Sequence, residues 1–190
     1  MVSRSQSLND QKLTITHRPL TREEALRLHQ ELKSTPNILG YTVRELLRLS
    51  DVYVAEVNDA FAGACWSVDL ACGWTEIAVL YVFPEFRGEG IGCRLFDCAW
   101  SSARSRQRHL YILSRNPQVI QWMKERGMTV NGKLWCAPLA VQWYMTWYMT
   151  SWYRWCESIR KHRAIQQCPP LLQGSILYTT ENPADADNSK

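Results

Sequence analysis

The sequence predicts a mixed α/β (α+β) fold, on three observations. Apolar patterning gives the order strand, two helices, three strands, helix, strand, helix. The three consecutive strands turn back on one another, so the order does not fit a simple alternating parallel fold. One strand also runs through a glycine-rich loop directly into a helix, between Leu80 and Gly92.

Each element has its own signal. Leu13 and Ile15 alternate with polar residues between Lys12 and Pro19, which predicts a first strand. Thr21 is placed to cap a helix with Glu23 and Glu24 in its first turn. Ala25, Leu28 and Leu32 give that helix an apolar stripe. Pro36 and Gly40 end it, and Thr42 to Leu49 forms a second short helix. Val52, Tyr53, Val54 and Val57 make the next strand, Asn58-Asp59 a turn, and Phe61 to Leu70 its antiparallel partner. Thr75 to Phe83 is the most apolar strand, stopped by Pro84. A helix follows from Gly90 to about Arg106, with Ile91, Leu95, Cys98 and Ala99 on one face. Leu110 to Leu113 is a short buried strand. Pro117 opens a further helix that ends before Gly127.

Composition narrows the class. The 190 residues are 46% hydrophobic and 21% charged, ordinary for one globular domain. A net charge of +4 suits an anionic ligand but falls short of a nucleic-acid binder. The seven cysteines form no CxxC pair and no zinc-spaced cluster. They are expected as reduced thiols in the cytoplasm, with no metal site. Residues 1–11 are polar and lack the apolar run of a signal peptide; they are expected as a flexible leader. The domain is expected over 12–167 and a disordered tail over 168–190.

The chemistry centres on Leu80-Tyr81-Val82-Phe83-Pro84-Glu85-Phe86-Arg87-Gly88-Glu89-Gly90-Ile91-Gly92. Three glycines in five residues let the backbone approach a ligand closely. The N–H groups at the start of the following helix face a partial positive charge, which Arg87 reinforces, so the loop suits phosphate oxygens. It lacks the Lys-Ser/Thr ending of a P-loop, and it follows the fourth strand rather than an early one as a dinucleotide fingerprint would.

This stretch resembles the acetyl-CoA motif of the GNAT acetyltransferase superfamily, V-x-P-x-x-R-G-x-G-I-G. Val82, Pro84, Arg87, Gly88, Gly90, Ile91 and Gly92 all match it. The resemblance covers roughly residues 12–130. It implies a mixed, mostly antiparallel twisted sheet flanked by helices, and an N-acetyltransferase that moves acetyl from acetyl-CoA, its co-substrate, to an amine acceptor, protein or small molecule. By the same likeness, the backbone of Arg87, Gly88, Glu89, Gly90, Ile91 and Gly92 would hold the pyrophosphate of CoA. Leu80, Tyr81 and Val82 would pair with the pantetheine arm as an added strand. Asn116 matches an Asn that often contacts the cofactor, and it equally fits a plain N-cap before Pro117.

An attacking amine must be neutral, and deprotonating an alkyl ammonium at pH 7 costs about 4–5 kcal/mol. Glu76, on the strand that reaches the cofactor, resembles the general base of part of the family. By period two it shares a face with Ala78, Leu80 and Val82; the alternative is a solvated Glu at the strand's start. The family's usual general acid, a Tyr four residues before the Gly after the next helix, is replaced here by Met123, which has no proton to give. That departure supports a reading of another class: an acyl-CoA-binding regulatory or interaction protein with little transferase activity. Cys93 and Cys98 with His109 would be needed for a covalent route, but buried structural thiols are the simpler account.

The segment 134–167 is rich in aromatics. Five of the nine Trp fall between Trp135 and Trp155, Trp-Tyr-Met-Thr occurs twice in tandem, and no charge lies between Lys133 and Arg154. Polar interruptions argue against a membrane span. Three readings stay open: a final strand and helix packed on the core, an interfacial helix with basic residues on anionic lipid, or a homodimer or partner surface, the last two through residues 142–163. A continuous helix from Gln142 to Gln167 would be roughly 39 Å long.

Overall fold

A computed structural model describes residues 12–36, 38, 40–133, 137–148, 150 and 152–178. Its elements are β1 (Leu13–His17), α1 (Arg22–Ser34), α2 (Val43–Leu46), β2 (Val52–Val57), β3 (Ala60–Asp69), β4 (Trp74–Val82), α3 (Ile91–Ser105), β5 (His109–Ser114), α4 (Pro117–Glu125), β6 (Thr129–Asn131), α5 (Leu139–Tyr148), α6 (Trp152–Gln166) and β7 (Leu172–Ile176). The strands form one mixed sheet in the order β1-β2-β3-β4-β5-β7-β6. All neighbours are antiparallel except β4 and β5.

Local chemistry starts the first helices where the sequence places them. Thr21 accepts from the Glu24 N–H while Glu24 accepts from the Thr21 N–H, closing a capping box. Thr42 and Glu45 do the same for α2. One sheet face packs Cys65, Ile77, Leu80 and Val82 against Leu95, Phe96 and Met123 of α3 and α4. The other packs Val54, Trp66, Val79 and Tyr81 against Leu28, Leu32 and Leu46 of α1 and α2.

The β3–β4 ladder is tight at Gly63. A Cβ there would lie 2.5 Å from the Tyr81 carbonyl oxygen, a backbone atom that cannot swing aside. Gly63→Ala should therefore lower stability by about 1–3 kcal/mol, read as a lower midpoint in chemical denaturation.

Two sequence expectations change. The tail cannot begin at 168, because Leu172–Ile176 is a strand, β7, inserted between β5 and β6. Its pairing partners lie far back in the chain, and its polar LQGSI pattern hides its role. The leader 1–11 and residues 179–190 lie outside the described residues. The aromatic segment is not one continuous helix from Gln142 to Gln167: α5 ends at Tyr148 and α6 starts at Trp152.

Both helices pack on the core through one face. Ala137 and Val141 meet Trp74 and Tyr111. The buried Lys161 ammonium donates to the carbonyls of Leu32, Thr35 and Ile38 at 2.6, 2.8 and 2.7 Å, neutralising the carbonyl-rich C-terminal end of α1. Arg154 donates to Glu45 at 2.8 Å and lies 3.6 Å over the Tyr148 ring. No helix among the described residues is long and apolar enough to cross a membrane.

Candidate functional site

β4 and β5 run side by side only from Trp74↔His109 to Ile77↔Ile112 and then part. A bulge in β4 sits at that point. Ser67 pairs with Ile77 and Trp66 with Val79, leaving Ala78 without a partner on β3. Bulges add local twist and turn a strand aside. The strands splay, and a cleft of about 1150 Å³ opens between Ala78–Val82 on one side and Leu113–Asn116 on the other.

At the cleft's mouth stands the glycine-rich loop. Pro84–Phe86 forms a single 3₁₀ turn, and α3 then begins with Gly90 as its N-cap. Gly88 and Gly90 have φ of +88° and +75°, the left-handed region that favours glycine. Gly90 has no side chain to cap the helix, so the first N–H groups of α3 lack the usual side-chain acceptor. Arg87 is exposed, and its Nε donates to the Val82 carbonyl at 3.0 Å, which holds the guanidinium against the end of β4.

Leu80, Tyr81, Val82, Arg87, Gly88, Gly90, Ile91, Gly92, Asn116 and Glu76 all line this cleft; Glu89 does not. The Tyr81 ring is buried on the α1 side, where its hydroxyl donates at 2.7 Å to Glu31, which also lines the cleft. Asn116 is the N-cap of α4: its Oδ1 accepts from the Gln118 N–H at 2.9 Å, while the residue stands on the cleft wall. The cap and the cleft position therefore coexist.

Glu76 is not a solvated residue at the strand's start. It is 6% exposed, and no hydrogen bond from a described residue reaches its carboxylate. Burial without compensation raises its pKa to about 7. The expected shared face with Leu80 and Val82 is wrong. The bulge at Ala78 resets the alternation, so Leu80 and Val82 join Ile77 on the α3 side. Glu76 lies on the opposite side, within electrostatic reach of Tyr41, Tyr111 and Tyr144.

Sequence reasoning missed that ring of phenols. Tyr41, Tyr144 and Tyr148 line the cleft beside Glu76. The Tyr41 and Tyr148 rings lie 6.3 Å apart, the Tyr111 hydroxyl donates to Gln173 at 3.1 Å, and Tyr81 is held by Glu31. Tyr144 is a cleft phenol whose hydroxyl has no hydrogen-bond partner among the described residues. Burial, and next the Glu76 charge, push its pKa above the usual phenol value, so it stays protonated. The available signal was the tandem repeat. A four-residue period nearly matches the helical turn, so it stacks Tyr144 and Tyr148 on one face of α5.

Other candidate groups are placed elsewhere. Met123 is fully buried between α4 and β7, where a Cβ on Gly174 would lie 2.6 Å from its sulfur. Cys93 contacts Asp97, whereas His109 accepts from the Tyr178 N–H at 2.9 Å, so no thiol–imidazole pair forms. Arg106 and Arg108 bind Asp51, Asp69 and the Leu70 and Trp74 carbonyls, tying the β3–β4 turn to the start of β5.

Residues 48–127 match the family model described as "Acetyltransferase (GNAT) domain". That match takes in 80 of the 190 residues, and the seven-stranded mixed sheet with flanking helices is the GNAT fold. No curated protein matches the sequence. Among solved structures, N-acetylglutamate synthase from Neisseria gonorrhoeae, complexed with coenzyme A and N-acetyl-glutamate, is 19% identical with a TM-score of 0.60. The match takes in 86% of this chain but only 35% of the synthase, so the chain spans about a third of that protein. Rv2747 from Mycobacterium tuberculosis, in complex with CoA, is 16% identical with a TM-score of 0.61, over 87% of this chain and 99% of that one. The ribosomal-protein-S18-alanine N-acetyltransferase from Escherichia coli is 9% identical with a TM-score of 0.57, over 90% and 97% of the two chains.

Proposed function

We propose that this protein is an N-acetyltransferase that moves the acetyl group of acetyl-CoA to an amine. The observation that carries the reading is Glu76: a buried carboxylate with no partner among the described residues, in the cleft that opens where β4 leaves β5. The solved structures of this fold with CoA bound support the same ligand here.

The residues present fit acetyl-CoA. The uncapped start of α3 at Gly90, flanked by Arg87, offers N–H groups and positive charge to its pyrophosphate. The edge of β4 beyond Ile77, which β5 no longer covers, offers backbone groups to its pantetheine arm. When bound, the thioester supplies the activated acetyl group. Glu76 takes the proton of the acceptor ammonium, which it can do at neutral pH because its pKa is near 7. Tyr144, a cleft phenol whose hydroxyl has no hydrogen-bond partner among the described residues, takes the acid's role that Met123 cannot fill and donates to the departing thiolate.

Thermal unfolding with and without acetyl-CoA tests the binding half. At a hundredfold excess over Kd the wild type should gain about 2.7 kcal/mol. Gly90→Asp should lose that gain. Asp tolerates the left-handed backbone better than most residues, and it sets a carboxylate where phosphate would sit. No gain in the wild type at millimolar acetyl-CoA would end the transferase reading. The non-enzymatic alternative, an acyl-CoA-binding regulatory protein, draws on the burial of Met123; it expects the same gain with no turnover on any amine.

A further inference from the structure

The aromatic segment does two things at once, and the acetyl-transfer reading uses only one of them. The tandem repeat stacks Tyr144 and Tyr148 toward the cleft and, one position earlier, Trp143 and Trp147 away from it. On α5, Leu139, Trp143 and Trp147 are 81%, 82% and 69% exposed at four-residue spacing. On α6, Trp152, Trp155 and Ile159 are 81%, 52% and 72% exposed at three- and four-residue spacing. Two adjoining helices thus each carry an unbroken apolar stripe outward, four of the six residues being Trp. Scattered surface hydrophobes need no explanation, but a contiguous stripe does.

Among the described residues nothing supplies a cover for these side chains. The charge around the stripe indicates what does. α5 has no charged residue, and α6 has Arg154, Arg160, Lys161, His162 and Arg163 against a single acidic residue, Glu157. Arg154 and Lys161 turn inward, whereas His162 and Arg163 are exposed and continue the α6 stripe one turn past Ile159. α2 is tied to α6 through Arg154 and Glu45; its Arg44, and Leu47 and Arg48 just past its end, are exposed. A partner protein interface would have a rim of mixed charge. Here the border is basic, and indole, an apolar ring with one N–H, is the side chain that settles at lipid headgroup level.

We infer that the outer face of α5 and α6 docks this protein on an anionic lipid bilayer, lying in the interface rather than crossing it. The Trp stripe enters the headgroup region, and Arg163 with its neighbours meets lipid phosphate. Because the two repeats serve both faces, docking would set the Tyr144 side of the cleft next to the membrane surface. The inference stands on the exposed stripe and its charge, independently of whether acetyl is transferred.

Flotation of the full chain with phosphatidylcholine vesicles, with and without phosphatidylglycerol, tests it. The protein should float with the anionic vesicles and far less with the neutral ones, and added salt should release it. Brominated acyl chains should quench its Trp fluorescence, a readout that needs no variant. R163Q should bind about fivefold more weakly. Replacing Trp143, Trp147, Trp152 and Trp155 by Gln should abolish flotation without moving the thermal midpoint or the stabilisation by acetyl-CoA. Failure of the wild type to float, or flotation of the four-Trp variant like wild type, overturns the inference. So does a dimer in sedimentation that this variant dissociates while vesicles bind neither form; the face would then belong to a second copy.

Discussion

Glu76→Gln should cut kcat by about 10²–10⁴-fold and, above neutral pH, make the protein more stable. The two effects have one cause. An amide fills the same space but accepts no proton from an ammonium, so the chemical step loses its base while acetyl-CoA binding is retained. For the wild type, kcat/KM should rise with pH through an apparent pKa near 7 as Glu76 ionises, and that limb should vanish in the variant. The stability effect follows from the direction of the shift. An unfolded Glu ionises near 4.3, whereas folded Glu76 holds its proton until about 7. Between those values the folded state binds the extra proton, so stability falls as pH rises. Below that window the carboxyl is neutral in both states and costs nothing. Above it the full penalty applies, about 3–4 kcal/mol. Gln carries no such penalty. The gap between variant and wild type in chemical denaturation should therefore open from pH 4 to 7 and stay constant beyond. A variant with near-normal kcat removes Glu76 from the chemistry. One with lost activity but a pH-independent stability difference would mean that the carboxylate is solvated or paired in solution.

How much of this was legible in the sequence depended on the range of the interactions. The loop from Arg87 to Gly92 is a local device: its glycines, arginine and helix start lie within six residues and could be read directly. The capping boxes at Thr21 and Thr42 span three residues each. The bulge at Ala78 carries no Gly or Pro to announce it; it emerges from the register between β3 and β4, and it alone decides which face Glu76 shares. β7 was hidden for a similar reason. Gln173 is bonded to Tyr111, 62 positions away, and Gly174 is there to admit the Met123 sulfur. Met123 could be read as a residue with no proton to give, but the phenol to which the proposed reading gives the acid's role could not be located from the sequence. Tyr144 reaches the cleft because Ala137 and Val141 anchor α5 on Trp74 and Tyr111, while Arg154 and Lys161 fix α6 to α2 and α1. Those are contacts between segments that share no sequence pattern.

Tyr144→Phe is expected to lower kcat by about 10²-fold with the KM for acetyl-CoA and its thermal stabilisation unchanged. The phenol is a poor acid in the resting cleft, since burial and then the Glu76 charge hold its proton on. Once Glu76 has accepted the proton of the acceptor, its negative charge is gone, and that part of the resistance in Tyr144 disappears with it. The two groups are thus coupled in the useful order: the base must be protonated before the acid is at its strongest. A purely structural role for the ring would survive in Phe, which keeps the packing of Tyr144 against Tyr148 and loses only the hydroxyl. The distinguishing measurement uses acetyl thioesters of more acidic thiols. A thiolate that leaves without needing a proton should bring Tyr144→Phe back toward wild type, while Glu76→Gln, blocked at the amine, should stay slow. If the variant remains equally impaired with every leaving group, the hydroxyl is not the acid. The thiolate then departs unaided or is protonated through water, and Met123 marks a site that has dispensed with the family's acid.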